Sequence, residues 1–114
     1  MGNNEQTCIF CDIINGKIPS KILYNCDDFI IIEDINPQAP KHFLAIPKEH
    51  FAFLAHCTDT QSTVLGKILQ TIPQLKQVLQ IDDFRIIINQ GKSAGQTVFH
   101  LHFHILGGKE FGNF

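Results

Sequence analysis

The sequence predicts an α+β fold in which helices cover one face of an antiparallel sheet. Five short stretches are rich in β-branched and aromatic residues, as strands are, and one long stretch has the three-and-four apolar spacing of an amphipathic helix. The order of these elements, a short helix, three strands, the long helix and two more strands, favours antiparallel pairing. A chain of 114 residues can bury one core, so we expect a single domain over residues 1–114.

The short helix is predicted near the N-terminus. Residues 8–15 carry apolar side chains at helical spacing, with Thr7 as the expected N-cap and Gly16 as the expected C-cap. Pro19 follows closely and prevents the helix from continuing. A helix this short needs tertiary packing to be stable.

The five predicted strands are bounded by turn-forming residues. They are expected over residues 22–24, 29–33, 42–47, 84–89 and 98–106. The first two are joined by the turn 25–28, which predicts a hairpin. Pro47 ends the third strand, because proline cannot donate to a sheet ladder.

The long helix is predicted over residues 58–80. Its apolar residues recur every three or four positions, and Thr58 with Gln61 has the spacing of a capping box. Pro73 removes one backbone donor and crowds the preceding turn, so we expect it to kink or split the helix.

The composition excludes several classes of function. The formal net charge is −2, with 9 Lys and Arg against 11 Asp and Glu, which leaves no basic stripe for a nucleic-acid polymer or an anionic membrane. The sequence shows no secretory signal and no apolar stretch of membrane-spanning length. We therefore expect a cytoplasmic protein whose 4 cysteines are reduced.

Three histidines alternate with apolar residues near the C-terminus. On a strand, His100, His102 and His104 would share one face, and the apolar residues between them would face the helix layer. A single histidine on a strand is usually solvated or hydrogen-bonded, but three aligned imidazoles indicate a functional site. Two chemistries remain open: a three-histidine metal centre, or a neutral imidazole acting as a nucleophile toward phosphorus. Side chains on one face of a strand lie about 6.5 to 7 Å apart, which suits separate roles better than one shared ion.

Together these motifs resemble the histidine triad family, and within it the nucleotide-binding branch. The resemblance rests on residues 100–106 and on four further segments in the same order along the chain: residues 8–14, 34–40, 42–47 and 95–98. It covers nearly the whole chain. It implies a five-stranded antiparallel sheet with one short and one long helix, and a homodimer whose two sheets join into one of ten strands.

The resemblance also implies an activity and the residues that carry it. The family hydrolyses nucleotide derivatives through a nucleotidyl-histidine intermediate, and the matching nucleophile is His102. For this branch the expected substrates are purine nucleoside phosphoramidates, which are cleaved to a nucleoside monophosphate. The implied roles are phosphate contact for His104, and orientation or proton transfer for His100 and His42.

Further positions match the nucleotide-binding residues of the family. Asp34 matches an acceptor for the ribose hydroxyls, although an aspartate shortly before Pro37 is also typical of a turn. The loop 95–97 matches the loop on the phosphate side of the family's site. Its glycine, Gly95, lets backbone N–H groups approach an anion. The residues implied in phosphate contact are Asn89, Gly95, Gln96 and Thr97. The residues implied in the purine pocket are Phe10, Ile13, Ile32, Ile35 and Leu44.

Cys8 and Cys11 form a Cys-x-x-Cys pair whose chemistry the residues alone leave open. Two buried thiols fit the spacing, and so does a redox pair, although the pair precedes every predicted strand and lacks the setting of a thioredoxin-like site. Several branches of the superfamily complete a structural zinc site with histidines that match His50 and His100. The resemblance therefore implies Zn²⁺ on all four residues. This conflicts with proton transfer by His100, because a metal-bound imidazole is not a free base.

Two other functions fit the same residues. One is a dinucleoside polyphosphate hydrolase, against which the lack of a basic cluster near the triad counts. The other is a non-catalytic nucleotide-binding or adaptor module, against which the intact triad counts. Cys26, Cys57 and His56 match no motif and receive no role.

Overall fold

The computed structural model describes residues 8–114. Within these residues, five strands form one antiparallel sheet. The strands are β1 (Ile22–Asn25), β2 (Phe29–Glu33), β3 (Lys41–Pro47), β4 (Phe84–Ile87) and β5 (Phe103–Gly107). Their order across the sheet is β1-β2-β3-β5-β4, with every neighbouring pair antiparallel. The predicted five-stranded antiparallel sheet is confirmed, and so is the hairpin of the first two strands.

The long helix has the predicted start and the predicted break. Helix α2 (Asp59–Thr71) begins after Thr58, whose side chain accepts from the Gln61 backbone while the Gln61 side chain accepts from the Thr58 backbone, a complete capping box. A 3₁₀ turn with Pro73 near its start separates α2 from α3 (Lys76–Leu79). No helix within residues 8–114 combines the length and apolar character needed to cross a membrane.

The short helix α1 (Ile9–Ile14) begins one residue later than predicted. Its N-cap is Cys8, whose sulfur accepts from the Cys11 backbone N–H at 3.3 Å, so the prediction of Thr7 as the cap is wrong; Thr7 itself lies outside the described residues. The C-cap is Asn15, so the prediction of Gly16 as the C-cap is wrong by one residue; Gly16 follows at φ +78°, the left-handed conformation that glycine adopts at helix ends.

The helices lie on both faces of the sheet, which corrects the prediction that they share one face. On one face, α2 and the turn after it pack against Phe29, Ile31, Leu101, Phe103 and Ile105 in the larger core. On the other face, α1 packs against a second apolar cluster made by the alternate residues of β2 and β3. The sequence of a short amphipathic helix shows that one side of the helix is apolar. It does not show against which face of the sheet that side packs.

The last strand is shorter than predicted. Strand β5 begins at Phe103 because its final pair with β3 joins Phe103 to Ala45, so His100 and His102 lie in the segment that leads into the strand. The predicted alternation of side chains nevertheless holds, since Leu101, Phe103 and Ile105 face the larger core. The histidines therefore point away from α2, toward the face that carries α1.

Candidate functional site

A cavity of about 520 Å³ opens on the α1 face of the sheet. Its walls come from α1, from the loop between β2 and β3, from β3 and from the segment that leads into β5. The predicted site residues that line it are Phe10, Ile13, Ile32, Asp34, Ile35, His42, Leu44, Gly95, Thr97, His102 and His104. Four apolar residues among them, Phe10, Ile13, Ile32 and Leu44, are buried, whereas Ile35 is 83% exposed and lies at the rim.

His102 has one ring nitrogen fixed by a hydrogen bond, and the other, Nε2, has no hydrogen-bond partner among residues 8–114. Its Nδ1 lies 2.7 Å from the carbonyl oxygen of His100, and because a carbonyl only accepts, Nδ1 carries the proton and donates. Nε2 therefore keeps its lone pair. Burial lowers the pKa of His102 below 6.5, although the bond to His100 and the charge of Asp34 act in the opposite direction. The imidazole is thus neutral at pH 7, as a nucleophile must be.

A chain of hydrogen bonds sets the tautomers of the other two histidines in the cavity. The backbone N–H of Gln38 donates to His42 Nδ1 at 2.9 Å, so a neutral His42 carries its proton on Nε2. That Nε2 lies 3.0 Å from His104 Nδ1 and donates to it. Burial first, and the charges of His102 and His42 next, lower the pKa of His104 to about 4, so this ring is neutral and carries its proton on Nε2. His104 therefore offers an N–H donor in the cavity wall.

Asp34 has both of the environments that the sequence allowed. One carboxylate oxygen accepts from the Asn36 backbone N–H at 2.8 Å, which is the bond of an Asx turn. The other lies 3.4 Å from His42 Nε2 in the cavity. The turn thus holds the carboxylate in place without hiding it.

The loop 95–97 alternates between the cavity and the interior. Gly95 and Thr97 line the cavity, whereas the side chain of Gln96 between them is buried and turned away from it. Asn89 is not in the cavity wall; it lies beside Gly95, where a Cβ on Gly95 would be 3.6 Å from its side-chain nitrogen. Gly95 has φ +98°, a conformation that glycine adopts without strain.

The four residues expected to hold zinc come together beside the cavity. His50 Nδ1 lies 3.3 Å from Cys11 Sγ and 3.2 Å from His100 Nδ1, and His100 Nδ1 lies 3.4 Å from Cys8 Sγ and 3.6 Å from Cys11 Sγ. Ligand atoms on a tetrahedral zinc, with bonds of about 2.0 to 2.3 Å, lie about 3.3 to 3.8 Å apart. The arrangement of these nitrogen and sulfur atoms therefore fits a tetrahedral zinc ion.

The proton positions of His100 also fit a metal ligand. Its Nε2 lies 2.7 Å from the Pro47 carbonyl oxygen and must donate to it, which leaves Nδ1 unprotonated toward the cysteines. His100 is fully buried and is not part of the cavity wall. Its link to the cavity is its own carbonyl group, which orients His102.

A second group of residues has metal-like spacing but the wrong proton positions. Asp34, His42 and His104 each offer an atom within 4.8 Å of the others. However, His42 Nδ1 already accepts from the Gln38 backbone, so Nε2 holds the proton and has no lone pair for a metal. This group is a hydrogen-bonded network rather than a metal centre.

Two backbone groups of the site have no signature in the sequence. The Gln38 N–H sets the tautomer of His42, and the Pro47 carbonyl sets that of His100. Because any residue presents these backbone groups, apart from the N–H that proline lacks, only the fold shows that they are used. Their positions next to Pro37 and at the end of β3 are the nearest signals the sequence offers.

Comparisons with known proteins agree with this geometry. The HIT domain profile matches residues 15–111. The protein HitA of Neisseria gonorrhoeae is 44% identical over 103 residues, covering 90% of this chain and 96% of HitA. A HIT family hydrolase from Clostridium thermocellum has a TM-score of 0.89 at 43% identity, over 95% of this chain and 96% of its own. A zinc-bound histidine triad family protein from Mycobacterium smegmatis has a TM-score of 0.80 at 34% identity, over 92% of this chain and 77% of its own. This chain is therefore a member of the HIT family.

Proposed function

We propose that the protein hydrolyses purine nucleoside phosphoramidates through a covalent intermediate on His102. Nε2 of His102 attacks the α-phosphorus, the P–N bond breaks, and the amine leaves with a proton taken from solvent. Water then cleaves the phosphorus–nitrogen bond to His102 and releases the nucleoside monophosphate. Two displacements of this kind replace one difficult hydrolysis by two easier steps.

The observation that carries this proposal is the fixed tautomer of His102. A neutral imidazole whose Nδ1–H donates to the carbonyl oxygen of His100 leaves Nε2 as a nucleophile beside the cavity. The N–H of His104 is available to a phosphate oxygen, and Asp34 to the ribose hydroxyls. Contacts of Gly95 and Thr97 with the phosphate, and of Phe10, Ile13 and Ile35 with the base, are part of the same proposal, because these residues line the cavity.

The walls of the cavity favour a short phosphate chain. Within the described part of the molecule, no Lys or Arg lines the cavity. A dinucleoside polyphosphate carries several charges that cationic side chains normally neutralise. This favours the phosphoramidate over the polyphosphate substrate. A nucleotide, rather than a nucleic-acid polymer or a membrane, remains the expected partner, and the cytoplasmic location stays a prediction.

We also propose that Cys8, Cys11, His50 and His100 hold a structural Zn²⁺ ion. Four protein ligands close the coordination sphere, so the ion would stabilise the local fold rather than bind water or substrate. It would fix the ring of His100 between the cysteines and the Pro47 carbonyl. Because the carbonyl of the same residue holds His102, the metal site would support the nucleophile indirectly.

The activity is tested by the release of AMP from adenosine phosphoramidate. We expect turnover by the unmodified protein and a loss of about 10³-fold or more in His102→Ala, as for other catalytic nucleophiles. His56→Ala is the matched control, because His56 is exposed and outside the cavity, and it should retain full activity.

Two results would contradict the proposal. Turnover of a dinucleoside tetraphosphate alone would assign the protein to the polyphosphate hydrolases. Binding of AMP without turnover of either substrate would leave nucleotide binding as the function.

A further inference from the structure

Gln96 is a buried polar residue between two residues of the cavity wall. Its side chain is 2% exposed, whereas Gly95 and Thr97 on either side are exposed and line the cavity. Burying an amide costs free energy unless hydrogen bonds compensate for the lost water. The partners of this amide therefore show what it holds in place.

The side chain of Gln96 joins three separate backbone segments. Its oxygen accepts from the Gly91 backbone N–H at 2.8 Å, and its nitrogen donates to the carbonyl oxygens of Ala52 at 3.2 Å and Val98 at 3.3 Å. The Gln96 backbone N–H also donates to the Gly91 carbonyl at 3.1 Å. Gln96 thus closes the loop 91–96 on itself and ties it to the segment after β3.

The loop 91–96 needs these hydrogen bonds because its two glycines allow many backbone conformations. Gly91 and Gly95 have φ values of +99° and +98°, and each glycine brings conformational freedom that folding must remove. A 3₁₀ turn of three residues between them adds little rigidity. Without the Gln96 amide, the hydrogen bonds left to the segment 91–96 within residues 8–114 would be the three backbone bonds of the turn itself.

Thr97, which follows Gln96, presents hydrogen-bond donors to the cavity. Within residues 8–114, neither the backbone N–H nor the hydroxyl of Thr97 has a hydrogen-bond partner, and the residue faces the cavity. The carbonyl of Val98, the next residue, is held by Gln96. Thr97 is therefore fixed on both sides, by Gln96 itself and by the carbonyl of Val98.

We propose that Gln96 is a positioning residue that aims the donors of Thr97 at the substrate phosphate without touching the nucleotide itself. This inference rests on the proposed function, and it replaces direct contact by Gln96 with an effect through the loop. It predicts that Gln96 matters for the phosphate and not for the nucleoside. Asp34 and the apolar residues of α1, which would hold the nucleoside, share no hydrogen bond with Gln96.

The test compares the binding of AMP with the binding of adenosine, which lacks the phosphate. In Gln96→Met, which keeps the side-chain length and removes the amide, we expect AMP to bind about ten-fold more weakly while adenosine binding changes by less than about two-fold. The kcat/KM for adenosine phosphoramidate should fall by at least the same factor. Isothermal titration calorimetry and AMP release measure the two quantities.

Gln61→Met is the matched control. Gln61 is also a buried glutamine with both side-chain groups hydrogen-bonded, to Thr58 and Glu49, but it lies on α2 away from the cavity. It should lower the melting temperature while leaving AMP binding and kcat/KM within about two-fold of the unmodified protein. If Gln96→Met does not fold, Gln96→Asn gives the same comparison, because its amide is one methylene too short to reach all three partners.

Three outcomes would overturn the inference. Equal loss of AMP and adenosine binding would show a general structural role, and unchanged AMP binding would show that the loop holds without Gln96. If the unmodified protein neither binds AMP nor cleaves the phosphoramidate, the proposed function fails first, and the inference fails with it.

Discussion

At the scale of single residues, the site depends on which nitrogen of each imidazole carries the proton. His102 donates from Nδ1 to a carbonyl, His42 accepts at Nδ1 from a backbone N–H, and His104 accepts at Nδ1 from His42. The same side chain therefore presents a lone pair at one position and a donor at another. Backbone groups assign these roles directly for His102 and His42, and through the side chain of His42 for His104, so three chemically identical residues act differently.

The lowered pKa of His102 predicts how the proposed activity responds to acid. An imidazole attacks only when neutral, and an unperturbed one is half protonated at pH 6.5. Because burial lowers the pKa of His102, the fall of kcat/KM toward acid should have its midpoint below pH 6.5. The measurement is AMP release from adenosine phosphoramidate from pH 8 to well below pH 6.5, with the rate of His102→Ala subtracted as the non-enzymatic blank. A rate already halved at pH 6.5 would show that the nucleophile titrates like an exposed histidine.

At the scale of elements, α1 is tied to the proposed metal. Its N-cap residue Cys8 accepts from the first turn of the helix, and its sulfur lies 3.4 Å from His100 Nδ1 on the same face of the sheet. The element is six residues long, too short to be stable by its own hydrogen bonds. Its position therefore rests on apolar packing against β2 and β3 and on the cluster at its N-terminus.

The element scale predicts the result of removing one ligand. The unmodified protein should contain about one zinc per chain by elemental analysis, and Cys8→Ala should lose it and melt at a lower temperature. Cys26→Ala is the control, because Cys26 is outside the cluster and should keep the metal. Unchanged zinc content in Cys8→Ala would contradict the site.

The sequence predicts the elements well and their placement less well. Strand alternation, the capping box and the break at Pro73 are local, so they are visible in the residues. Strand β5 starts at Phe103 because its pairing with β3 ends at Ala45. No residue in the sequence near His100 indicates that the strand starts there. The sequence does carry a signal for a layer on each face of the sheet: residues 29–32 are apolar without alternation, which is typical of a strand buried on both faces.

At the scale of the whole molecule, the two edges of the sheet differ. Strand β1 has a register shift between Ile22 and Tyr24, an irregularity that discourages pairing with another chain. Strand β4 is regular and exposes Ile87, which is 37% accessible. We propose that two chains pair through β4 about a twofold axis, so that the homodimer implied by the family resemblance has one ten-stranded sheet.

The proposed dimer predicts that one charge on β4 disrupts the association. Ile87→Lys should convert the protein from dimer to monomer in size-exclusion chromatography with light scattering. Ile22→Lys is the matched control, because Ile22 is a similarly exposed isoleucine, 45% accessible, on the opposite edge. A monomeric unmodified protein, or a dimer that only Ile22→Lys disrupts, would contradict pairing through β4.

The two-sided sheet has a consequence for how such proteins diversify. The core beneath α2 and the cavity beside α1 use the same strands but different side chains, since alternate residues point to opposite faces. A mutation at Ile13 or Ile32 can therefore reshape the cavity without disturbing the packing around α2. Substitutions that change the shape of the cavity on the α1 face can therefore accumulate in evolution while the core under α2 stays unchanged.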